Sequence, residues 1–509
     1  MKKALVLILF FLLLIDNISG QVTFQKSFST GSNGNPSVAQ TIDGGYIIAG
    51  DLLIRTNESG DTLWTRYYNY GTSNCATPTF DGGYAIAGYT SIDGASNDYY
   101  LTKTDSLGNI LWSKAYGGES YDEAYTMQQT SDSGFILAGN TWSFGSGGWD
   151  FYLVKTDAEG NILWTKIIGG AEEDKAATIK QTSDDGFIVA GYTTSFGSVG
   201  PDAFLIKTDD NGNIEWAKIY NGPGGEFVTC IRQSEDGGYF FTGHAVNFTT
   251  TGQDLFLIKT DAEGNVQWSR FFTHTNNIGN AVAQTNDGGY IITGSTLESS
   301  ANGNDVLLIK TDAAGDTLWT RVFGGTGYDA GTDVKQTNNG EYIIAGKITS
   351  FGTGFYLLKT DNLGNTGCNQ ATASIQTNNS PVSELNVTCT VYSAGAVTPF
   401  DVTAGSGTVV NDICFTAIEE LSIANSLQFF PNPSQGFFSI TLGERIVKGS
   451  VSIFNALGKI VFEEEIVNTS TKEIHLQNLP EGIYFVKVFS RDNYYNIKLL
   501  LNRTKTALL

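Results

Sequence analysis

The residues with the most chemical potential in this chain are carboxylates that recur at matching places. Asp122, Asp174 and Asp329 sit in the segments GGESYDEA, GGAEEDKA and GGTGYDA, and Asp98, Asp150, Asp202, Asp254 and Asp305 open apolar runs such as DFYLVKT. Long Gly/Ser stretches, SFGSGGW and SFGSVGP, precede members of the second set, with Tyr121, Trp142, Phe144, Trp149 and Phe196 close by. Clustered carboxyl oxygens can hold calcium. Carboxylates beside aromatic rings also suit sugar hydroxyls and ring stacking. Copy number argues for a plainer role, because every repeat needs the same turn and an Asp can fix it by accepting backbone N–H bonds. Two places depart from the pattern and stand out as binding candidates: Glu226 in NGPGGEFVTC and His274 in FFTHTNNIGN.

Other chemistry is thinly provided. Paired carboxylates could serve a glycosidase or lyase, yet nothing sets one pair apart from the repeated set. There is no nucleophile elbow, no phosphate-binding loop and no dinucleotide motif. Only three histidines exist, so a Ser-His-Asp triad would have to recruit His244 or His274. The five cysteines, Cys75, Cys230, Cys368, Cys389 and Cys414, show no CxxC spacing, which argues against a zinc site. Cys75 and Cys230 fall in different repeats, and one disulfide among the other three is expected. The expectation is no resident cofactor, with calcium as the exception the carboxylate ring would allow.

The elements that must position these residues are read from a repeat. A Lys-Thr or Arg-Thr pair recurs at Arg55, Lys103, Lys155, Lys207, Lys259, Lys310 and Lys359, with Trp64, Trp112, Trp164, Trp216, Trp268 and Trp319 on the same period. A turn and apolar run, as in DGGYIIAG from Asp43, recurs with them. Each unit of ~50 residues holds four short strands, one antiparallel propeller blade in the kelch-like range. The seventh unit lacks its Trp-bearing strand, and VTFQKSF, Val22 to Phe28, resembles that missing strand. It should complete the last blade and close a seven-bladed ring, removing exposed edges. The Trp ladder should fill space between blades, the Gln-Thr pairs should hydrogen-bond within or between them, and the repeated Lys should be solvated over apolar stems.

Composition agrees with an all-β chain: Gly is 60 of 509 residues, with 31 Phe and 23 Tyr but 2 Met. A formal charge of -22 repels phosphate backbones, so nucleic acid is not an expected partner. Lys2 and Lys3, then the apolar run Ala4 to Ile15, read as a secretory signal ending near Gly20, too short to span a bilayer. No later stretch reads as a transmembrane helix. The expected layout is signal peptide 1–20, propeller 21–368, a polar linker or small β-rich connector 369–425, and a compact β-sandwich 426–509.

Two resemblances add to this. TDAEGNILW, Thr156 to Trp164, resembles a shortened form of the tryptophan-docking motif of quinoprotein propellers, in which aspartate, glycine and tryptophan lock adjacent blades. The loop is one residue shorter, and no quinone-site or calcium-site pattern accompanies it. FPNPSQGFFSI, VSIFNALGKIV and LQNLPEGIYFVKVF resemble the type A C-terminal sorting domain of the type IX (Por) secretion system of the Bacteroidetes. Pro431, Asn432, Pro433, Gly436, Gly458, Gly482 and Tyr484 carry that match. It implies an Ig-like sandwich, the type IX machinery as partner, and a secreted or outer-membrane surface-attached protein. The preferred function is then a binding module for polysaccharide, glycoprotein or another envelope component. The alternatives are an exported polysaccharide lyase or hydrolase, and a structural surface-layer or gliding component.

Overall fold

The structure, a computed structural model, describes residues 22–30, 34–50, 52–68, 71–91, 96–197, 200–222, 224–246, 252–273, 276–297, 303–367, 370–379, 381–394, 396–399, 404–405, 409–415, 427–430, 437–455, 460–476, 479, 482–490 and 493–501. The signal peptide expected over 1–20 lies outside them.

Seven antiparallel blades form the propeller. Blade 4 shows the pattern: strands Asp174–Gln181, Phe187–Thr193, Asp202–Thr208 and Ile214–Asn221 run from the axis outward. The middle two are buried along nearly their whole length, since they pack against blades on both sides. The turn into each second strand needs a left-handed residue, supplied by Gly44, Gly82, Gly237 and Gly288, and by Ser133 and Asp185 in blades 3 and 4. Phe24–Ser29 pairs antiparallel with Gly354–Thr360, so the N-terminal strand completes blade 7 as the repeat predicts.

One latch joins the blades. Each ladder Trp meets the first aromatic of the next blade's second strand edge-on, as in Trp64–Tyr84 (5.7 Å), Trp164–Phe187 (5.8 Å) and Trp319–Tyr342 (5.9 Å). Glycine in the next blade's outer turn gives the indole its seat: a Cβ on Gly160 would lie 2.8 Å from Trp112. Two residues on, a Lys or Arg lies over the indole and reaches that same turn, as Lys114 donates to Asn161 (2.7 Å) and Arg270 to Asp316 (3.0 Å). At the ring closure Phe24 replaces Trp, packing on Tyr46 at 6.3 Å, while Lys26 pairs with Asp61 at 2.5 Å. Gln129, Gln181, Gln233, Gln284 and Gln336 add bonds at the other side, each accepting a turn N–H of the preceding blade.

The repeated Lys is not solvated. Lys103, Lys155, Lys207, Lys259 and Lys310 are buried and pair with Asp81, Asp132, Asp184, Asp236 and Asp287 at 2.8–2.9 Å. Each Nζ also donates to the carbonyl of the following Thr. The turn glycine makes room, since a Cβ on Gly186 would stand 2.7 Å from Lys207 Nζ. Blade 7 makes the same pair with Glu341 and Lys359.

The segment after the repeats is a belt, which the sequence left open between connector and module. From Gln370 to Phe415 it gives each blade a fifth, antiparallel strand, visiting blades 6, 5, 4, 3, 2, 1 and 7 in turn. Between strands, Ile375, Val382, Val387 with Cys389, and Ala394 drop onto the cores of successive blades. Cys75, Cys230 and Cys389 are free thiols, so the expected disulfide does not use Cys389, and Cys368 lies outside the described residues.

A second compact unit spans Ile418–Leu509. Its long strand Phe437–Asn455 pairs with Leu427–Phe430 through its first part and with Gly482–Ser490 through its second. A register break between Thr441 and Ile446 turns the sheet over a core of Phe438, Ile440, Val451, Ile453, Ile474, Tyr484, Val486 and Val488, a small sandwich.

Two outcomes test this architecture. Phe24→Ala removes a fully buried ring from the closure and should cost about 3–5 kcal/mol in chemical denaturation; an unchanged midpoint would mean the ring does not close through Phe24. A chain ending at Cys368 should self-associate in size-exclusion chromatography through its uncovered outer edges, whereas one ending at Ala417 should stay monomeric.

Candidate functional site

The recurring carboxylates, read from the sequence as turn-fixers with a ligand-binding mouth as the alternative, are held inside the wall. Asp122, Asp174 and Asp329 are fully buried, and Asp150, Asp202 and Asp305 nearly so. They cap their own loops. Asp174 accepts from Gly170 N (2.7 Å), Ser195 Oγ (2.7 Å) and Thr193 Oγ1, and Asp122 accepts from Gly118 N and Ser143 Oγ, both at 2.8 Å. Asp329 accepts from Gly325, Thr349 and Ser350 backbone N–H groups, and Asp150 from Ser146 N at 3.0 Å.

The structure also pairs the two sets across blade junctions. A Cβ on Gly117 would collide with Asp98 and Asp122, on Gly169 with Asp150 and Asp174, and on Gly324 with Asp305 and Asp329. Glu226 takes the equivalent place in blade 5, opposite Asp202, so its departure from the pattern is a substitution within the ring. Asn277 takes it in blade 6, its N–H bonded to Gln253 O at 2.8 Å. Asp254 is half-buried at that junction, and burial pushes its carboxyl up. His274 lies outside the described residues. Among the described residues no group of three or more His, Cys, Asp or Glu converges on a metal-sized site.

Such pairs hold protons. Burial, reinforced by Asp174, pushes Asp150 up to about 7; burial with Asp329 does the same to Asp305, and burial with Asp202 brings Glu226 to about 7. His244 offers no triad: it stacks on Phe227 at 5.1 Å, and burial lowers it to about 4.

What the loop face does present is aromatic. Trp142 and Tyr121 are 53% and 43% exposed, large apolar surface left in water. Trp142 lies 5.5 Å from Trp149 and 6.4 Å from Tyr121, with rings inclined by 33° and 38°. Lys175 stands over Trp149 at 5.5 Å and pairs with Glu173. The long Gly/Ser loop of blade 3 sets this platform, because Asp150 and Asp122 tie down its two ends. Blade 4 has Glu173, Thr194 and Pro201 at the matching places, so the cluster is not a repeated feature. Phe144 and Phe196 turn inward instead, onto Tyr152 and Phe204. Nearer the axis, Tyr125, Tyr192 and Phe227 line the channel, a group the sequence did not single out because the axis-facing side of each first strand is set by a bulge within it.

Comparison with known proteins places the C-terminal unit. Residues 428–502 match the family described as secretion system C-terminal sorting domain. The tail is a type IX secretion sorting domain. Its partner is therefore the type IX machinery, and the protein is secreted or surface-attached. Of the matched motif, Gly482 and Tyr484 start a described strand with Tyr484 in the core, while Pro431, Asn432, Pro433, Gly436 and Gly458 lie outside the described residues. Among the described residues no helix is long and apolar enough to cross a membrane. The chain is 26% identical over 219 residues to the regulatory protein FlaEY of Caulobacter vibrioides, covering 38% of this chain and 22% of that protein. It is 35% identical over 78 residues to ulvan lyase NLR42 of Nonlabens ulvanivorans, 15% of this chain and 14% of that enzyme. It thus spans less than a quarter of either relative. A solved eukaryotic initiation factor overlaps 91% of this chain at 10% identity with a TM-score of 0.30, too loose to bear on function.

The carboxyl pairs give a pH test. The folded protein keeps protons on Asp150, Glu226 and Asp305 that the unfolded chain, with ordinary values of 3.8 and 4.5, has released. This contribution is complete below those values and is lost as pH rises through about 7. Asp81, Asp236 and Asp287 act oppositely: hydrogen bonds from the paired Lys and the neighbouring Thr or Ser outweigh burial and hold them at about 2, so their contribution is lost on acidification. Thermal melts at fixed ionic strength should show Tm falling from pH 4.5 to pH 8. Asp150→Asn should flatten that fall. A pH dependence left unchanged by Asp150→Asn would show that this pair holds no proton.

Proposed function

We propose that this exported propeller is a glycan-binding module, and that Tyr121, Trp142 and Trp149 form the surface on which sugar rings stack. The observation that carries this is the exposure of Trp142 and Tyr121 in one continuous ring cluster on the long-loop face. An apolar patch of this kind on an otherwise acidic, soluble-type surface is costly unless a partner covers it. Sugars present a C–H face to such rings and hydroxyls to neighbours like Lys175 and Glu173. The proposal is for binding rather than catalysis, because Asp150, Glu226 and Asp305, whose raised values would suit an acid catalyst, are buried as loop caps. The ulvan lyase match covers 14% of that enzyme.

The test is retention of the full chain on a panel of soluble polysaccharides, with and without calcium, with new sugar ends read from the same samples. Retention without new ends is expected, and Trp142→Ala should weaken it by roughly tenfold, a loss of about 1.4 kcal/mol. Equal retention by Trp142→Ala and by the Tyr121→Ala/Trp142→Ala double variant would remove the platform. Retention that needs calcium would move the site to the carboxylate ring. New sugar ends would make the protein an enzyme.

A further inference from the structure

The central channel has a charge opposite to the rest of the chain. It encloses about 500 Å³ and is lined by the innermost strands of the blades. The whole chain has 52 acidic and 30 basic residues, yet among the described residues the channel lining has Lys175, Lys180, Arg232 and Lys335 against Asp333 alone.

Register explains how three of these cations come together. Each first strand is followed by a Thr or Ser that begins a turn: Thr182, Ser234 and Thr337 in blades 4, 5 and 7. Two residues before each stands Lys180, Arg232 or Lys335, so all three occupy one layer of the ring. Blades 4 and 5 are neighbours, which sets Lys180 beside Arg232, and Gln128 of blade 3 flanks Lys180 at the same register.

The channel's own acid balances only Lys335. Asp333 accepts from Val38 N of blade 1 at 3.1 Å and lies 3.7 Å from Lys335 Nζ, which itself donates to Val38 O, so acid and lysine are tied together at the junction of blades 7 and 1. Arg232 spends one N–H on Ile231 O at 3.1 Å. Lys180 has no hydrogen-bond acceptor or carboxylate partner among the described residues. The thiol of Cys75 in the layer above is pushed up to about 12 by burial and stays neutral. Burial, with repulsion from Arg232 and Lys335, lowers Lys180 to about 7. Like charges gathered in a confined space of low dielectric repel strongly unless a counter-charge is supplied.

We propose that the central channel binds a multiply charged oxyanion, a sulfate or phosphate group, between Lys180 and Arg232 with Lys335 completing the site. Arg232 offers a planar pair of donors and Lys180 a point charge, the combination that recognises such groups. The anion is either a free ion or an ester on a sugar whose ring remains at the aromatic-lined part of the channel near Tyr125 and Phe227. This site is separate from the Trp142 platform, and neither depends on the other.

The experiment is equilibrium dialysis of the full chain against radiolabelled sulfate, with ionic strength held by sodium chloride and with inorganic phosphate, galactose and galactose 4-sulfate as competitors. Saturable sulfate binding is expected, displaced by phosphate but not by galactose. Lys180→Gln and Arg232→Gln should each weaken it roughly tenfold or more, the cost of one charged hydrogen bond. Gln128 at the same register shows that the wall accommodates glutamine, and thermal melts would confirm that both variants fold. Stronger competition by galactose 4-sulfate than by sulfate would assign a sugar-borne ester, and equal competition a free ion; both sustain the site. Sulfate binding no better than chloride, or undiminished binding by the Lys180→Gln/Arg232→Gln double variant, would overturn it. Trp142→Ala should leave sulfate binding unchanged, which separates failure of this site from failure of the platform.

Discussion

Everything in the propeller depends on closing the ring. A single blade cannot bury both faces of its sheet, so each needs a neighbour on either side, and the first needs the last. The latch that meets this need is a ring on the outer strand, a glycine seat in the next blade, and a cation reaching over the ring to the next turn. At the closure the same geometry is built from Phe24, Gly60, Lys26 and Asp61. Joining Phe24 to Lys359 spans most of the domain's length, and the chain entropy of closing such a loop is roughly 5 kcal/mol beyond a constant. Burial of Phe24 and Phe28 offsets a cost of that size. A central channel, and any site within it, exists only because this closure holds.

The second constraint is the outer edge. Closing the ring satisfies the faces of the sheets but leaves the outermost strand of every blade with unpaired N–H and C=O groups. The belt answers that with main-chain pairing that any sequence could make, and with small apolar residues that fit the grooves between blades. It runs against the order of the blades. Its last strand, Val409–Phe415, pairs with Phe24–Ser29. The same strand that closes the ring therefore also anchors the belt's end. Removal of the sorting domain, whose first described strand begins at Leu427, leaves this arrangement whole.

The two surfaces proposed for binding lie away from where the repeats concentrate charge. The recurring carboxylates hold the long loops in shape, and they are buried because a loop cap must exclude water to be strong. Freed of that task, the loop of blade 3 displays rings, and the channel gathers cations. Both features belong to a few blades only. A repeat protein keeps its scaffold in what every unit shares and can place recognition in what few units have.

The sequence by itself determined the repeat, the seven blades, the strand that closes them and the identity of the tail. These follow from periodicity and local motif, which are properties of neighbouring residues. Trp64 to Trp319, the turn glycines and the Gln-Thr pairs were legible because each does the same work in most units. The buried Lys207–Asp184 pair was not, since a lysine before a turn reads the same whether its head meets water or an aspartate folded back beside it. The belt was invisible for a related reason: its strands are two to seven residues long and have no partner in sequence, only in space. Only the tertiary structure decided that Asp150 and Asp174 meet across a junction, that Tyr121, Trp142 and Trp149 touch, and that Lys180 and Arg232 face one channel. Each of those contacts joins separate loops or blades, and the geometry of ring closure sets the distance between them.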